Sequence, residues 1–210
     1  MRRLGKLNKP EVLEANEATW LSEYLADKTN GSKKYKYRNA DIKQQLKNET
    51  GDKCVYCESK IGHNTPGDIE HKVPSSKNET LHFSWENLTI ACTECNRRKN
   101  DYYSTEDGFL DPYIDDVEAM LVHRGPIVMW KTGEKRAEIA INILELCKRM
   151  PLISRKIEKI TDVQNLIERY NAETNPVLKG LLKKALIETT DKSSEFSGML
   201  LGMVEGAVAP

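Results

Sequence analysis

The chain carries no surplus of charge: 32 Lys and Arg stand against 32 Asp and Glu in 210 residues. Strong unassisted attraction to nucleic acid or to an anionic membrane goes with a basic excess, so any phosphate contact here has to come from a local patch. Long apolar runs are also missing. Nothing approaches the length of a membrane span, and Arg2-Arg3 is not followed by the apolar core of a signal peptide, so the cytoplasm is the expected location. There is no internal repeat. Cysteines are few, five in all, and four of them fall into two close pairs. In a reducing compartment such pairs read as a metal site rather than as two disulfides. The fifth, Cys147, lies in an apolar stretch and reads as a small core residue. A hydrophobic content of 39%, a charged content of 30% and a mean hydropathy of −0.61 are ordinary globular values. The length suits one domain, or a small domain with helical extensions.

Charge is unevenly spread. Residues 1–49 hold 11 Lys and Arg against 7 acids, while residues 102–210 hold 14 against 17. The Lys33-Lys34-Tyr35-Lys36-Tyr37-Arg38 run alternates cations with aromatic rings, which suits either a solvated loop or a grip on a nucleic-acid strand by charge and stacking.

Apolar spacing predicts a helix over 10–28, with Pro10 in its first turn and Ala18, Leu21 and Leu25 as its stripe beside Trp20 and Tyr24. Asn39 caps a second helix that runs to Thr50, with Ile42 and Leu46 inward and Gly51 beyond its end. From 54 to 101 the elements are short: a knuckle at 54–57, strands near 68–72 and 87–91, and a helix starting about Thr93. Two β-like runs follow at 119–122 and 127–130, split by Gly125-Pro126. Helices are expected over 133–148, 152–170 and 176–189, and the tail from Ser193 to Pro210 is weakly apolar. The expected fold is α+β, mainly α-helical. It comprises an N-terminal helical segment (1–50), a central module (51–115) and a mostly helical C-terminal region (116–210) that could dock a partner.

Cys54-x2-Cys57 and Cys92-x2-Cys95 are separated by 34 residues. Two knuckles of this spacing complete a tetrahedron of thiolates around zinc and leave no open position, so the ion is structural. Between them stands Glu70-His71 on a probable strand, whose adjacent side chains point to opposite faces. Glu70 can ligate a divalent cation while His71 faces an attacking water. Asn96, at the start of the following helix, offers a hard carbonyl oxygen suited to magnesium.

Ile69-Glu70-His71-Lys72-Val73-Pro74, Trp85-Glu86-Asn87-Leu88 and Cys92-x2-Cys95-Asn96-x2-Lys99 together resemble the signature of the zinc-containing HNH endonucleases. The resemblance implies a ββα-metal core in which His71 is the general base. Glu70 and Asn96 become ligands of a catalytic Mg2+ or Mn2+, and Asn87 orients His71 from the loop between the strands. Many members carry Asp where this chain has Glu70, and Asp68, on the same strand face, is a reserve ligand. Weaker matches over residues 30–155, including Cys54–Ile61 and Ala140–Leu146, look like the HNH effectors of Septu and retron anti-phage systems. In those systems the nuclease acts with an ABC/SMC-like ATPase.

Arg97, Arg98, Lys99 and Lys72 flank these residues and are the expected nucleic-acid contacts, the alternative being a solvated helix face. His63, His82 and His123 read as turn or packing residues. Two rival readings remain: a zinc-stabilised nucleic-acid-binding module without catalysis, and an adaptor docking on an ATPase.

Overall fold

The computed structural model describes residues 1–62 and 66–208, so His63 and the last two residues of the tail lie outside it. Helix α1 (Glu11–Ala26) starts after Pro10, whose carbonyl accepts from Leu13 N and Glu14 N. Its buried face is Leu13 and Tyr24, with Trp20 and Leu21 partly covered, while Ala18 and Leu25 face solvent. The expected stripe is therefore rotated, because the larger aromatic surfaces take the inward side. The Lys-Tyr run is not an open loop. Asn30 caps a single turn α2 (Gly31–Lys34), which continues as a 3-10 turn over Tyr35–Arg38 with Tyr37 buried. Helix α3 (Ala40–Thr50) follows with the expected Asn39 cap, buries Ile42 and Leu46, and stops at Gly51, whose φ of 63° suits glycine.

Strand β1 (Asp68–His71) pairs antiparallel with β2 (Leu88–Ala91), in the register Asp68↔Ala91 to His71↔Leu88. Helix α4 (Thr93–Lys99) then packs back against β1. Alternation puts Asp68 and Glu70 on the side of α4, and Ile69 and His71 on the side of the N-terminal helices. The Cys54–Cys57 knuckle is stitched to β2 by Val55 N donating to Ile90 O at 3.0 Å.

Residues 117–130 form a one-turn helix α5 (Val117–Met120) and a hairpin of β3 (Leu121–Arg124) and β4 (Ile127–Trp130). The first β-like run thus begins two residues later than its composition suggests, since Asp116 caps a helical turn through Ala119 and Met120. Helix α6 (Lys135–Ile143) is shorter than expected: Glu145 adopts a positive φ of 48° and ends the helical path. Helices α7 (Met150–Ala172) and α8 (Pro176–Thr189) form an antiparallel pair. The tail adds a helix that apolar spacing did not reveal, α9 (Ser197–Val208), burying Met199, Leu200 and Val204. Buried Glu58, next to the first knuckle, meets Lys53 Nζ at 3.3 Å and Ser197 Oγ at 3.3 Å, tying α9 to the cysteine region. The protein is α+β and mainly helical, with two small two-stranded sheets among the described residues. Among the described residues no helix is long and apolar enough to cross a membrane.

Candidate active site

Cys54, Cys57, Cys92 and Cys95 converge, their sulfurs all within 4.8 Å of one another. Zinc–sulfur bonds of about 2.3 Å place the corners of a tetrahedron roughly 3.8 Å apart. Cys57 Sγ and Cys92 Sγ stand 3.8 Å apart, so the donor set fits zinc. Cys92 also caps α4, its sulfur accepting from Cys95 N at 3.4 Å. Arg149 Nη2 donates to Cys95 Sγ at 3.4 Å, and buried Lys156 lies nearby on α7, so two cations offset the charge of four thiolates.

One step along α4 turns the helix by about 100°, and Asn96 consequently faces away from the sulfurs. It lines a cavity of about 520 Å³ together with Asp68, Glu70 and His71. Glu70 and His71 point to opposite faces of β1, yet both line this cavity. Asn96 Nδ2 donates to Asp68 Oδ2 at 3.3 Å. Glu70 is only 5% exposed, and burial pushes its carboxyl up to about 7 against the pull of Lys99. Lys99 Nζ lies 2.6 Å from Glu70 Oε1 in a buried ion pair. A second carboxylate and an amide beside this buried carboxylate make an oxygen donor set of the kind that suits a hard divalent cation such as Mg2+ or Mn2+.

The His71 ring is held on all sides. Its Nε2–H donates to His82 O at 2.8 Å, which leaves Nδ1 as the acceptor. The ring stacks on His82 with centroids 4.9 Å apart, and His82 stacks in turn on Tyr24 at 4.2 Å. Tyr37 meets His71 edge-on at 4.7 Å. His82 is fixed by donating to Lys34 O at 2.7 Å and accepting from Ser75 Oγ at 2.6 Å. His82 therefore does more than pack: it extends the support of His71 to the N-terminal helices, and nothing in its local sequence marks it for that. Burial lowers the His71 pKa to about 4, with the His82 carbonyl opposing, so the ring is neutral near pH 7.

Asn87 makes no hydrogen bond to His71 among the described residues. Its side chain accepts from Val73 N at 2.8 Å and donates to Val73 O at 3.0 Å and Leu81 O at 3.1 Å. It thus fixes the loop that follows His71 and the loop that carries His82. The four expected phosphate contacts do not line the cavity. Lys99 is 1% exposed and its ammonium is consumed by Glu70 and by His71 O at 2.9 Å, so it is an internal brace rather than a solvent-facing cation. Lys72 pairs with Asp111 at 2.7 Å. Arg98 pairs with Glu94 and Glu145, and exposed Arg97 pairs with Glu94 at 3.1 Å. His123 belongs to β3, far along the chain from these groups.

Residues 54–102 match the family model of the HNH endonucleases. The chain is 24% identical over 198 residues to the Septu protein PtuB of Bacillus thuringiensis, covering 90% of this chain and 74% of that protein. It is 29% identical over 144 residues to the Septu protein PtuB of Bacillus mycoides (strain KBAB4), covering 54% of this chain and 49% of that protein. The short β1–β2–α4 unit with its four sulfurs, the His71 ring at its edge and the matched residues coincide, and residues 54–102 are an HNH endonuclease domain.

Proposed function

We propose that this protein is a metal-dependent endonuclease that hydrolyses phosphodiester bonds in DNA. We place it in the cytoplasm as the nuclease effector of a bacterial anti-phage defence system, acting with an ABC/SMC-like ATPase of the PtuA type. The observation that carries the reading is the His71 ring, neutral, with Nε2 occupied by the His82 carbonyl and Nδ1 left as acceptor, in a cavity that Asp68, Glu70 and Asn96 also line.

Asp68, Glu70 and Asn96 would hold Mg2+ or Mn2+. Bound there, the ion supplies charge neutralisation at the scissile phosphate and the departing 3′ oxygen. His71 Nδ1 takes a proton from the attacking water, becoming an imidazolium that the His82 carbonyl helps to stabilise. Asn87 keeps the loop after His71 in place, so the ring does not swing away from the cavity. Lys99 offsets charge on Glu70 and donates to the His71 carbonyl, fixing β1 against α4. Arg97, the most exposed of the neighbouring cations, serves as an outer phosphate contact. Cys54, Cys57, Cys92 and Cys95 would hold zinc in a closed tetrahedron and do no chemistry. Docking of the ATPase is assigned to the C-terminal helices, where Val177, Leu178 and Leu181 of α8 leave apolar surface exposed.

The test is nicking of supercoiled plasmid with magnesium or manganese and a chelator control, by wild type and His71→Ala, with and without the ATPase. Metal-dependent cutting by the wild type alone supports the reading. Equal cutting by His71→Ala removes His71 as the base. A folded, zinc-loaded wild type that binds DNA but cuts under none of these conditions makes the protein a binding module.

A further inference from the structure

Two cations border the cavity without a carboxylate to pair with them. Arg38 ends the 3-10 turn and Lys43 lies in the first turns of α3, and both line the cavity with Asp68, Glu70 and Asn96. Among the described residues neither makes an ion pair. Their neighbours do: Lys36 pairs with Glu23, Lys72 with Asp111 and Lys99 with Glu70. Arg38 is not left to wander. Its guanidinium lies 4.3 Å from the Tyr35 ring and 5.8 Å from the Tyr37 ring, and Tyr37 is the residue that meets His71 edge-on. The cation and the acceptor ring are thereby held to one aromatic side chain, which fixes their spacing.

We propose that Arg38 and Lys43 form the clamp that seats a backbone phosphate of the nucleic-acid strand against His71. The inference rests on the nuclease reading and adds to it the source of the grip, which lies in the N-terminal helices rather than on α4. A guanidinium offers a rigid fork that matches two phosphate oxygens, and a lysine adds a point charge whose position tolerates the next phosphate along. The clamp would also let a chain without net charge bind, since two cations outside any ion pair act locally.

Binding is measured by fluorescence anisotropy with short fluorescein-labelled single-stranded DNA, duplex DNA and RNA, in a His71→Ala background over a series of salt concentrations. Cleavage kinetics are measured in parallel in the otherwise wild-type chain. Each charge-assisted contact is worth a factor of roughly ten in affinity. Arg38→Gln with Lys43→Gln should weaken binding accordingly, raise KM more than it lowers kcat, and reduce the slope of log K against log salt by about 1.4 to 1.8. Arg38→Lys should recover most of the salt slope but only part of kcat/KM. Lys184→Ala on exposed α8 should change none of these, and zinc content and melting should stay at wild-type values throughout.

If the wild type cuts and the double variant binds with the same affinity and slope, the clamp is refuted while the nuclease reading stands. Arg38 and Lys43 then only balance Asp68 across the cavity. If the wild type neither binds nor cuts any of the three probes, alone or with the ATPase, the nuclease reading falls and the clamp falls with it.

Discussion

The sulfur cluster and the cavity lie back to back on α4 and are built by opposite rules. The four sulfurs are identical soft donors on two tight knuckles, close in sequence within each pair and mostly buried. The cavity is lined by a carboxylate paired with a buried lysine, a second carboxylate, an amide and a neutral imidazole, and it lies open to solvent. Its supports come from three separated parts of the chain: Tyr24 and Tyr37 before the domain, His82 and Asn87 within it, and Lys99 at its end. A closed donor set gains stability by being complete, whereas a reactive one must keep a vacancy and be held rigid by its surroundings. Cys95 and Asn96, adjacent on α4, are where the two meet, so the zinc clamp sets the position of the amide.

The sharpest way to break this division is to remove a sulfur. Structural zinc is worth on the order of 10 kcal/mol or more in small zinc domains. Cys57→Ser should lose zinc, measured by metal analysis, and lose the cooperative melting transition of the region by circular dichroism. A zinc-free chain that still melts cooperatively at the wild-type temperature would sink the assignment of the cluster as a brace.

His71→Ala should do the reverse, leaving zinc and fold intact while cutting falls by roughly 10² to 10⁴. It also has a pH signature in protein without added divalent metal. The folded His71 pKa, about 4, lies below the unfolded value near 6.5, so the unfolded chain binds the proton more readily between these values. Its contribution to stability is therefore full above pH 6.5 and is lost as pH falls towards 4, by roughly 3 kcal/mol. Urea melts of wild type and His71→Ala should converge at the acid end, and parallel curves across that window would contradict the buried, neutral ring.

Lys99→Met probes the seam between the two regions. It strands the Glu70 charge without a partner, and the expected loss is about 3 to 5 kcal/mol, or protonation of Glu70 instead. Adding Glu70→Gln should return much of the stability but none of the cutting. If Lys99→Met alone is as stable as wild type near pH 8, where Glu70 of the wild type is mostly ionised, the buried pair does not carry the weight assigned to it. The smallest effect is expected from Arg149→Gln, which removes one charge-assisted hydrogen bond to Cys95, about 1.5 to 3 kcal/mol. Faster zinc release to a chromogenic chelator, with unchanged cutting in the zinc-loaded protein, is the readout that confines Arg149 to the brace.

What could be read from the sequence follows the range of the interactions. The Cys pairs, the Asn39 cap, the Gly51 stop and the β1–β2–α4 order depend on neighbours a few residues apart, and each takes its expected place. The burial of Lys99 was not legible, because a basic run on a short helix looks solvated unless the opposing Glu70 is known to lie under it. The contacts of Asn87 were not legible, because they depend on the path of the 73–82 loop. Helix α9 was hidden by Gly198, Gly202 and Gly206, each worth about 1 kcal/mol against a helix, and it forms because Met199, Leu200 and Val204 bury against distant elements. The support of His71 by His82 and Tyr24 joins residues 11 and 47 positions away, beyond any local pattern.

The stack that runs from Tyr24 through His82 to His71 bears on how far this cutting unit can be transplanted. Excised at 54–102, it would carry its sulfurs and its acids to a new scaffold. It would leave behind Tyr24, Tyr37 and the Lys34 carbonyl, so one end of the stack and one wall of the ring would face water. Such a graft would take up metal and stay idle. The supports of the ring reach back to Tyr24, thirty residues before the part that a sequence motif can recognise.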